Sequence, residues 1–111
     1  EKKNVAYVGR GVCFNKFTGR GGKGGSNDAN AEFIGRLRKI MDDNNVCWQT
    51  AELGKVDVGG GGTIAYICAL YGMDVIDSGV AVLSMHAPEE IISKADLYEA
   101  VKAYTAFMKE A

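Results

Sequence analysis

Histidine, proline and paired cysteines are scarce in this sequence. Its 111 residues include one histidine, one proline and three cysteines. One histidine cannot form a metal site or a catalytic triad without partners. The cysteines, Cys13, Cys47 and Cys68, are odd in number and lack Cys-x-x-Cys spacing, so we predict three reduced, buried thiols in a cytosolic protein. None has an adjacent basic residue or histidine that would activate it.

The chain also lacks a strong net charge and a long apolar run. Its formal net charge is −1, which argues against a nucleic-acid partner because such proteins carry clustered positive charge. The basic residues that come closest to a cluster are Arg10, Lys16, Arg20 and Lys23. They lie among glycines, which is typical of a solvated loop. Asp74, Asp77 and Ser78 interrupt the longest apolar stretches, so no membrane span and no membrane partner are expected.

The chain has enough apolar residues for a packed core, since 47% of its residues are hydrophobic. Residues 5–17 favour one or two strands with a hinge at residues 9–11. Residues 18–25 are rich in glycine and predict a loop. Capping residues at 26–28 precede a helix that ends near Asp43. Its predicted buried face comprises Phe33, Leu37, Ile40 and Met41.

The second half alternates short strands and helices. Residues 46–51, 73–77 and 80–85 favour strands, and residues 63–71 favour a short helix that ends before Gly72. Ser93 and Asp96 resemble a capping box at the start of a last helix. The face predicted to be buried there comprises Leu97, Val101, Tyr104 and Met108. Lys94, Glu99, Lys102 and Lys109 are predicted to keep the other side solvated.

This order of elements predicts the α/β class, with a mixed β-sheet flanked by helices. Three or four strands leave sheet edges and one face poorly covered. We therefore expect residues 1–111 to form a single, incomplete domain within a longer chain.

His86 follows the apolar run at residues 80–83, and Pro88 restricts the backbone two residues later. A histidine that leaves a strand end can present one ring nitrogen to a site. It is therefore either a structural residue or a functional one whose partners lie outside this sequence. Glu89 and Glu90 are predicted to form a solvated turn rather than a catalytic pair.

A run of four glycines, residues 59–62, precedes Thr63 at the predicted start of a helix. Exposed amides there could hold an anion or a peptide backbone, or the run could form only a tight turn. It matches neither a P-loop nor a dinucleotide fingerprint. Asp57, just before it, could orient a ligand or a histidine, or cap the loop.

Four segments together resemble one known family: GRGGKGGSNDA at 19–29, WQTAELGKVD at 48–57, GGGGT at 59–63 and DSGVAVLSMHAP at 77–88. In order and spacing they resemble the C-terminal quarter of the aspartyl aminopeptidase family, in its bacterial branch. These are dinuclear zinc aminopeptidases of the cytoplasm that form large homo-oligomers. The resemblance implies the C-terminal part of an α/β/α zinc-exopeptidase sandwich.

The resemblance also implies roles for individual residues. His86 matches the last zinc ligand, Gly61, Gly62 and Thr63 match a segment along the substrate, and Lys16 matches a lysine of the substrate pocket. Some members carry a tyrosine where this chain has Gly24, so one substrate contact is expected to be absent.

A complete active site of the family holds two zinc ions, and this chain offers one ligand to them. The resemblance places the general-base glutamate and the other four ligands upstream of Glu1. We therefore expect residues 1–111 to be inactive alone and to need the remainder of the same polypeptide. The expected substrates are peptides, and the preferred N-terminal residue is left open.

The alternative is a non-catalytic α/β ligand-binding or assembly module, in which the glycine run binds an anion and His86 is structural.

Overall fold

A computed structural model of the chain describes residues 5–19, 26–52 and 64–111. The elements in that part of the chain are β1 (Val12–Asn15), β2 (Phe17–Gly19), β3 (Ser26–Asp28), α1 (Ala31–Asp43), β4 (Trp48–Thr50), α2 (Ala65–Leu70), β5 (Asp77–Val80) and α3 (Lys94–Glu110).

A three-stranded sheet forms the centre of the fold. Its strand order is β4-β1-β5, in which β1 pairs parallel with β4 and antiparallel with β5. Strands β2 and β3 form a separate antiparallel pair. The sheet is thus mixed and has helices packed on it, which confirms the predicted α/β class.

The hydrophobic core lies between one face of the sheet and the two long helices. Strand β1 contributes Val12 and Phe14, whose side chains share one face of the strand because side chains alternate. Met41 of α1 and the alanines Ala100 and Ala103 of α3 belong to the same core cluster. Strand β1 is buried on both faces, and β4, β5 and α3 contact it directly.

Helix α1 has the predicted buried face but starts later than predicted. Asn30 is its N-cap, and the Asn30 side chain accepts a hydrogen bond from the Phe33 N–H at 2.7 Å. The residues predicted as caps, 26–28, form strand β3 instead. Phe33, Leu37 and Met41 are buried as expected, whereas Ile40 is only partly buried. The helix ends at Asp43, in agreement with the sequence.

Helix α3 starts where the sequence predicts, at a cap formed by Ser93, whose hydroxyl accepts a hydrogen bond from the Asp96 N–H. Its predicted buried face is wrong. The residues predicted to be buried are exposed, from 47% for Tyr104 to 81% for Met108. The residues that are buried are Asp96, Ala100, Ala103 and Ala106.

The physical reason is a close approach of α3 to the sheet. Alanine side chains are short enough for the helix backbone to pack near β1 and α1. The buried carboxylate of Asp96 accepts hydrogen bonds from the N–H groups of Gly9 and Gly11, both at 2.8 Å. Both glycines have positive φ values, 86° and 84°, which direct the two amides toward it. Asp96 thus ties the start of α3 to the turn before β1.

Strand boundaries elsewhere differ from the sequence expectations. Residues 5–11 precede β1 without forming a strand, and β2 occupies part of the predicted loop at 18–25. In the second half, β5 spans the junction of the two predicted strands, and residues 73–76 are irregular. Among the described residues, no helix is both long and apolar enough to cross a bilayer.

Candidate functional site

His86 lies in a loop between β5 and α3 that is closed at its base. Leu83 and Ile91 exchange two backbone hydrogen bonds, at 2.9 and 3.2 Å. Inside the loop, the Ala87 N–H donates to the Ser84 carbonyl at 2.9 Å. The predicted strand at 80–85 therefore ends early, because residues from 84 onward form a turn. The loop holds His86 on a defined backbone at the end of the sheet.

The backbone of this loop is strained at two positions. Ser84 has a φ of 60° and His86 a φ of 69°, both in the left-handed region. Such conformations cost about 1–3 kcal/mol each for residues other than glycine, and they often occur at functional sites. The His86 N–H donates to Glu90 Oε1 at 2.5 Å. His86 is exposed, and its imidazole makes no hydrogen bond to the described residues.

An exposed imidazole on an ordered loop fits the role of a single zinc ligand, since neutral histidine nitrogen suits zinc. Within residues 5–19, 26–52 and 64–111, however, no group of three or more histidine, cysteine, aspartate or glutamate side chains could hold a metal ion. A metal site that included His86 would need further ligands from outside the described residues.

Lys16, the predicted substrate-pocket lysine, lies between β1 and β2. Its ammonium group pairs with the Asp28 carboxylate, and its carbonyl accepts a hydrogen bond from the Ala29 N–H at 2.9 Å. Both side chains of the pair are about half exposed. Exposed ion pairs contribute little stability, so the ammonium is free to change partners. No described hydrogen bond or ion pair joins Lys16 to His86.

The remaining predicted site residues, Gly61, Gly62 and Thr63, lie outside the described residues, as do Asp57 and the rest of the glycine run. The same holds for Gly24.

The cysteines differ from the prediction of three buried thiols. Cys13 is buried, Cys68 is partly buried and Cys47 is exposed. Burial and the nearby Glu52 carboxylate raise the pKa of Cys13 to about 11, so this thiol is not a nucleophile near neutral pH.

Two carboxylates make contacts that the sequence did not predict. Glu90 was interpreted as part of a solvated turn, yet it accepts the His86 N–H. A glutamate four residues after a loop histidine carries no distinct sequence signal, because the bond depends on the fold of the loop. Asp96 was interpreted only as a capping residue. Its contacts with Gly9 and Gly11 span more than 80 residues and have no local signature.

Comparison with known proteins identifies the family. A sequence profile described as aminopeptidase I zinc metalloprotease (M18) matches residues 1–108. The chain belongs to this family. The resemblance inferred from the four motifs is thereby confirmed.

The M18 relatives are longer than this chain. A probable M18 family aminopeptidase 1 from Clostridium acetobutylicum is 65% identical over 97% of this chain, which spans 23% of the relative. The corresponding protein from Thermotoga maritima is 53% identical over 96% of the chain, which spans 24% of it. The chain thus spans about a quarter of the length of these M18 proteins.

Solved M18 structures have the same fold over the matched region. The crystal structure of aminopeptidase I from Clostridium acetobutylicum superposes with a TM-score of 0.87 over 96% of this chain and 24% of its own. The M18 aminopeptidase from Thermotoga maritima superposes with a TM-score of 0.91 at 51% identity, over 100% of this chain and 25% of its own.

Proposed function

We propose that the complete polypeptide is a zinc-dependent aminopeptidase that removes N-terminal amino acids from peptides. The observation that carries this proposal is the match of residues 1–108 to the M18 zinc metalloprotease family. The relative from Clostridium acetobutylicum, 65% identical, is named as an aminopeptidase of that family.

Within this chain, His86 is the proposed zinc ligand. Its imidazole is exposed on a loop whose base is fixed by the Leu83–Ile91 pair. A ligand needs an accessible ring nitrogen and a restrained backbone, and this loop provides both. When bound, the zinc pair of the complete site supplies an activated water and polarises the scissile carbonyl. The general base and the other metal ligands are proposed to lie outside these residues.

Three further residues are proposed to bind the substrate. The amides of Gly62 and Thr63 would hold the peptide backbone, since glycine allows close approach of a ligand to the main chain. Lys16 is proposed to contact the substrate in its pocket. Its exposed ion pair with Asp28 is weak enough to open for that contact.

The proposed setting is a single catalytic domain, incomplete within residues 1–111, of a cytoplasmic homo-oligomer. The exposed apolar stripe on α3, which includes Leu97, Val101 and Met108, supports a further layer of protein there. Large exposed apolar patches mark surfaces that another segment covers. We propose that the remainder of the same polypeptide covers this stripe.

The test uses the complete polypeptide with bound zinc. We expect release of the N-terminal residue from peptides with a free amino terminus, and no release from acetylated ones. His86→Ala is expected to lose zinc and to reduce kcat/KM by at least about 100-fold, because a ligand is removed. Lys109→Ala, at the exposed end of α3, is the control and is expected to behave as wild type.

Two results would contradict the proposal. One is a complete, zinc-loaded polypeptide that cleaves none of the free-amino peptides. The other is tight stoichiometric zinc binding and peptide cleavage by residues 1–111 alone, which would show that the site is not shared with further chain.

A further inference from the structure

The loop that carries His86 has a second polar side chain with a defined contact. Glu90 Oε1 accepts the hydrogen bond from the backbone N–H of His86 at 2.5 Å. We propose that Glu90 is a positioning residue: it holds the His86 backbone in its left-handed conformation and so directs the imidazole toward zinc. This inference rests on the proposed role of His86 as a zinc ligand.

The strain at His86 needs a compensating contact. A φ of 69° is unfavourable for a residue with a side chain, so the loop would relax if nothing opposed it. The Leu83–Ile91 pair fixes only the base of the loop, and the Ala87–Ser84 bond closes a turn around His86 without involving its own N–H. The carboxylate of Glu90 is the described group that accepts this N–H, and charged acceptors form strong hydrogen bonds.

Glu90 is well placed to hold the backbone of His86. It directly precedes Ile91, which is fixed to Leu83 by two backbone hydrogen bonds, so its carboxylate extends from an anchored point. A change in φ at His86 would rotate the direction of its Cα–Cβ bond and move the imidazole. Metal ligands depend on such outer contacts for their orientation, and loss of one commonly weakens metal binding 10- to 100-fold.

Glu89 offers a matched control. It is adjacent, equally charged and exposed, and it makes no hydrogen bond to the described residues. An effect of net charge near the zinc would appear on removal of either glutamate, whereas a positioning effect depends on Glu90 alone.

The experiment compares Glu90→Ala, Glu90→Gln, Glu89→Ala and His86→Ala in the complete polypeptide. The zinc dissociation constant is measured by competition with a chelator, and the visible absorption spectrum is recorded after replacement of zinc by cobalt(II). We expect Glu90→Ala to raise the zinc Kd about tenfold and to change the cobalt spectrum. Glu90→Gln should fall between Ala and wild type, because its amide oxygen still accepts the N–H. Glu89→Ala should match wild type.

A second control separates positioning from general loss of structure. Asn30→Ala removes the N-cap of α1, far along the chain from the His86 loop, and is expected to lower thermal stability while leaving the zinc Kd unchanged. Equal weakening of zinc binding by Asn30→Ala and Glu90→Ala would overturn the inference.

The remaining outcomes distinguish the two proposals. If His86→Ala binds zinc as tightly as wild type, both the ligand role of His86 and the positioning role of Glu90 are wrong. If His86→Ala loses zinc but Glu90→Ala does not, the positioning role alone is wrong. Equal losses in Glu90→Ala and Glu90→Gln would also overturn it, because the acceptor atom is retained in the glutamine.

Discussion

Gly9 and Gly11 differ in whether the surrounding atoms leave room for a side chain. Gly9 and Gly11 both have positive φ and both donate their N–H to the buried Asp96 carboxylate. A Cβ on Gly9 would meet no described atom within 4 Å, whereas a Cβ on Gly11 would overlap the backbone carbonyl of Cys47. That carbonyl accepts a hydrogen bond from the Val12 N–H at 3.0 Å, so it cannot move away freely.

The first prediction compares alanine at these two positions. Gly9→Ala should lower the free energy of unfolding by about 1–2 kcal/mol, the cost of a left-handed alanine. Gly11→Ala should lower the free energy of unfolding by about 3 kcal/mol or more, because the new Cβ must also displace the Cys47 backbone that is hydrogen-bonded to β1. Denaturant unfolding of the complete polypeptide measures both. Similar losses would show that Gly11 is not packed against Cys47 as described.

The second prediction concerns alkaline pH. Burial, with a smaller contribution from Glu52, raises the pKa of Cys13 from 9.0 to about 11. Between these values the folded chain binds more protons at this thiol than the unfolded chain does, so stability falls as pH rises. The contribution is fully present below pH 9 and is lost toward pH 11. We expect Cys13→Ala to remove this part of the pH dependence of unfolding.

Cys47→Ala is the control for that measurement, because Cys47 is exposed. The wild type and Cys47→Ala should lose stability in parallel from pH 9 to 11. A Cys13→Ala variant with the same slope would mean that Cys13 does not respond to burial in this way.

At the scale of elements, helix α3 shows the limit of sequence pattern. Apolar residues recur on two sides of this helix, and helical spacing alone cannot decide which side faces the sheet. The larger set, which includes Leu97 and Met108, suggested the core face. The structure buries the alanines instead, because Asp96 must reach the amides of Gly9 and Gly11. That constraint joins residues far apart in the sequence, so no pattern within α3 predicts it.

Other elements were predictable because their signals are local. Helix α1 presents Phe33, Leu37 and Met41 at helical spacing on one apolar face, and these residues are buried. The start of α3 was predictable because the Ser93 hydroxyl accepts a hydrogen bond from the N–H of Asp96, only three residues later. The strands were less predictable, since three- or four-residue strands carry little periodicity.

The candidate site could be predicted only in part for the same reason. A histidine after an apolar run indicates a presented side chain, and the structure places His86 exposed on a closed loop. The hydrogen bond that Glu90 accepts from the His86 N–H depends on the left-handed backbone of that loop, which no residue type near it demands. His86 would ordinarily avoid such a φ, so sequence preference points away from the observed conformation.

At the scale of the molecule, one long helix of the described residues carries large apolar side chains outside the core. The sheet is packed against α1 and α3, while α3 exposes a stripe of large apolar residues. The chain spans about a quarter of the length of its M18 relatives, for example 23% of the one from Clostridium acetobutylicum. Both observations fit a domain that is completed by further chain.

The third prediction tests this stripe. In the complete polypeptide, Val101→Glu should lower the free energy of unfolding by about 2 kcal/mol or more, because it would bury a charge against the covering segment. In residues 1–111 alone, the same change should raise solubility, because it divides an exposed apolar surface. Denaturant unfolding of the complete polypeptide checks the first expectation, and a solubility assay of residues 1–111 checks the second.

Ala95→Glu is the matched control, since Ala95 is exposed on the same helix outside the stripe. It should leave the unfolding of the complete polypeptide unchanged. If Val101→Glu is equally neutral there, the stripe faces solvent in the complete protein and the proposed covering segment is wrong.

The bond between Asp96 and the turn before β1 also bears on the order in which the chain can fold. Strand β1 is synthesised before both of these partners: its paired residues in β5 follow 62 to 68 residues later, and Asp96 follows Gly9 by 87 residues. Contacts at such sequence separation form slowly, because a long loop must close first. Strand β1 can therefore complete these two contacts only after the chain has been synthesised through the first turn of α3.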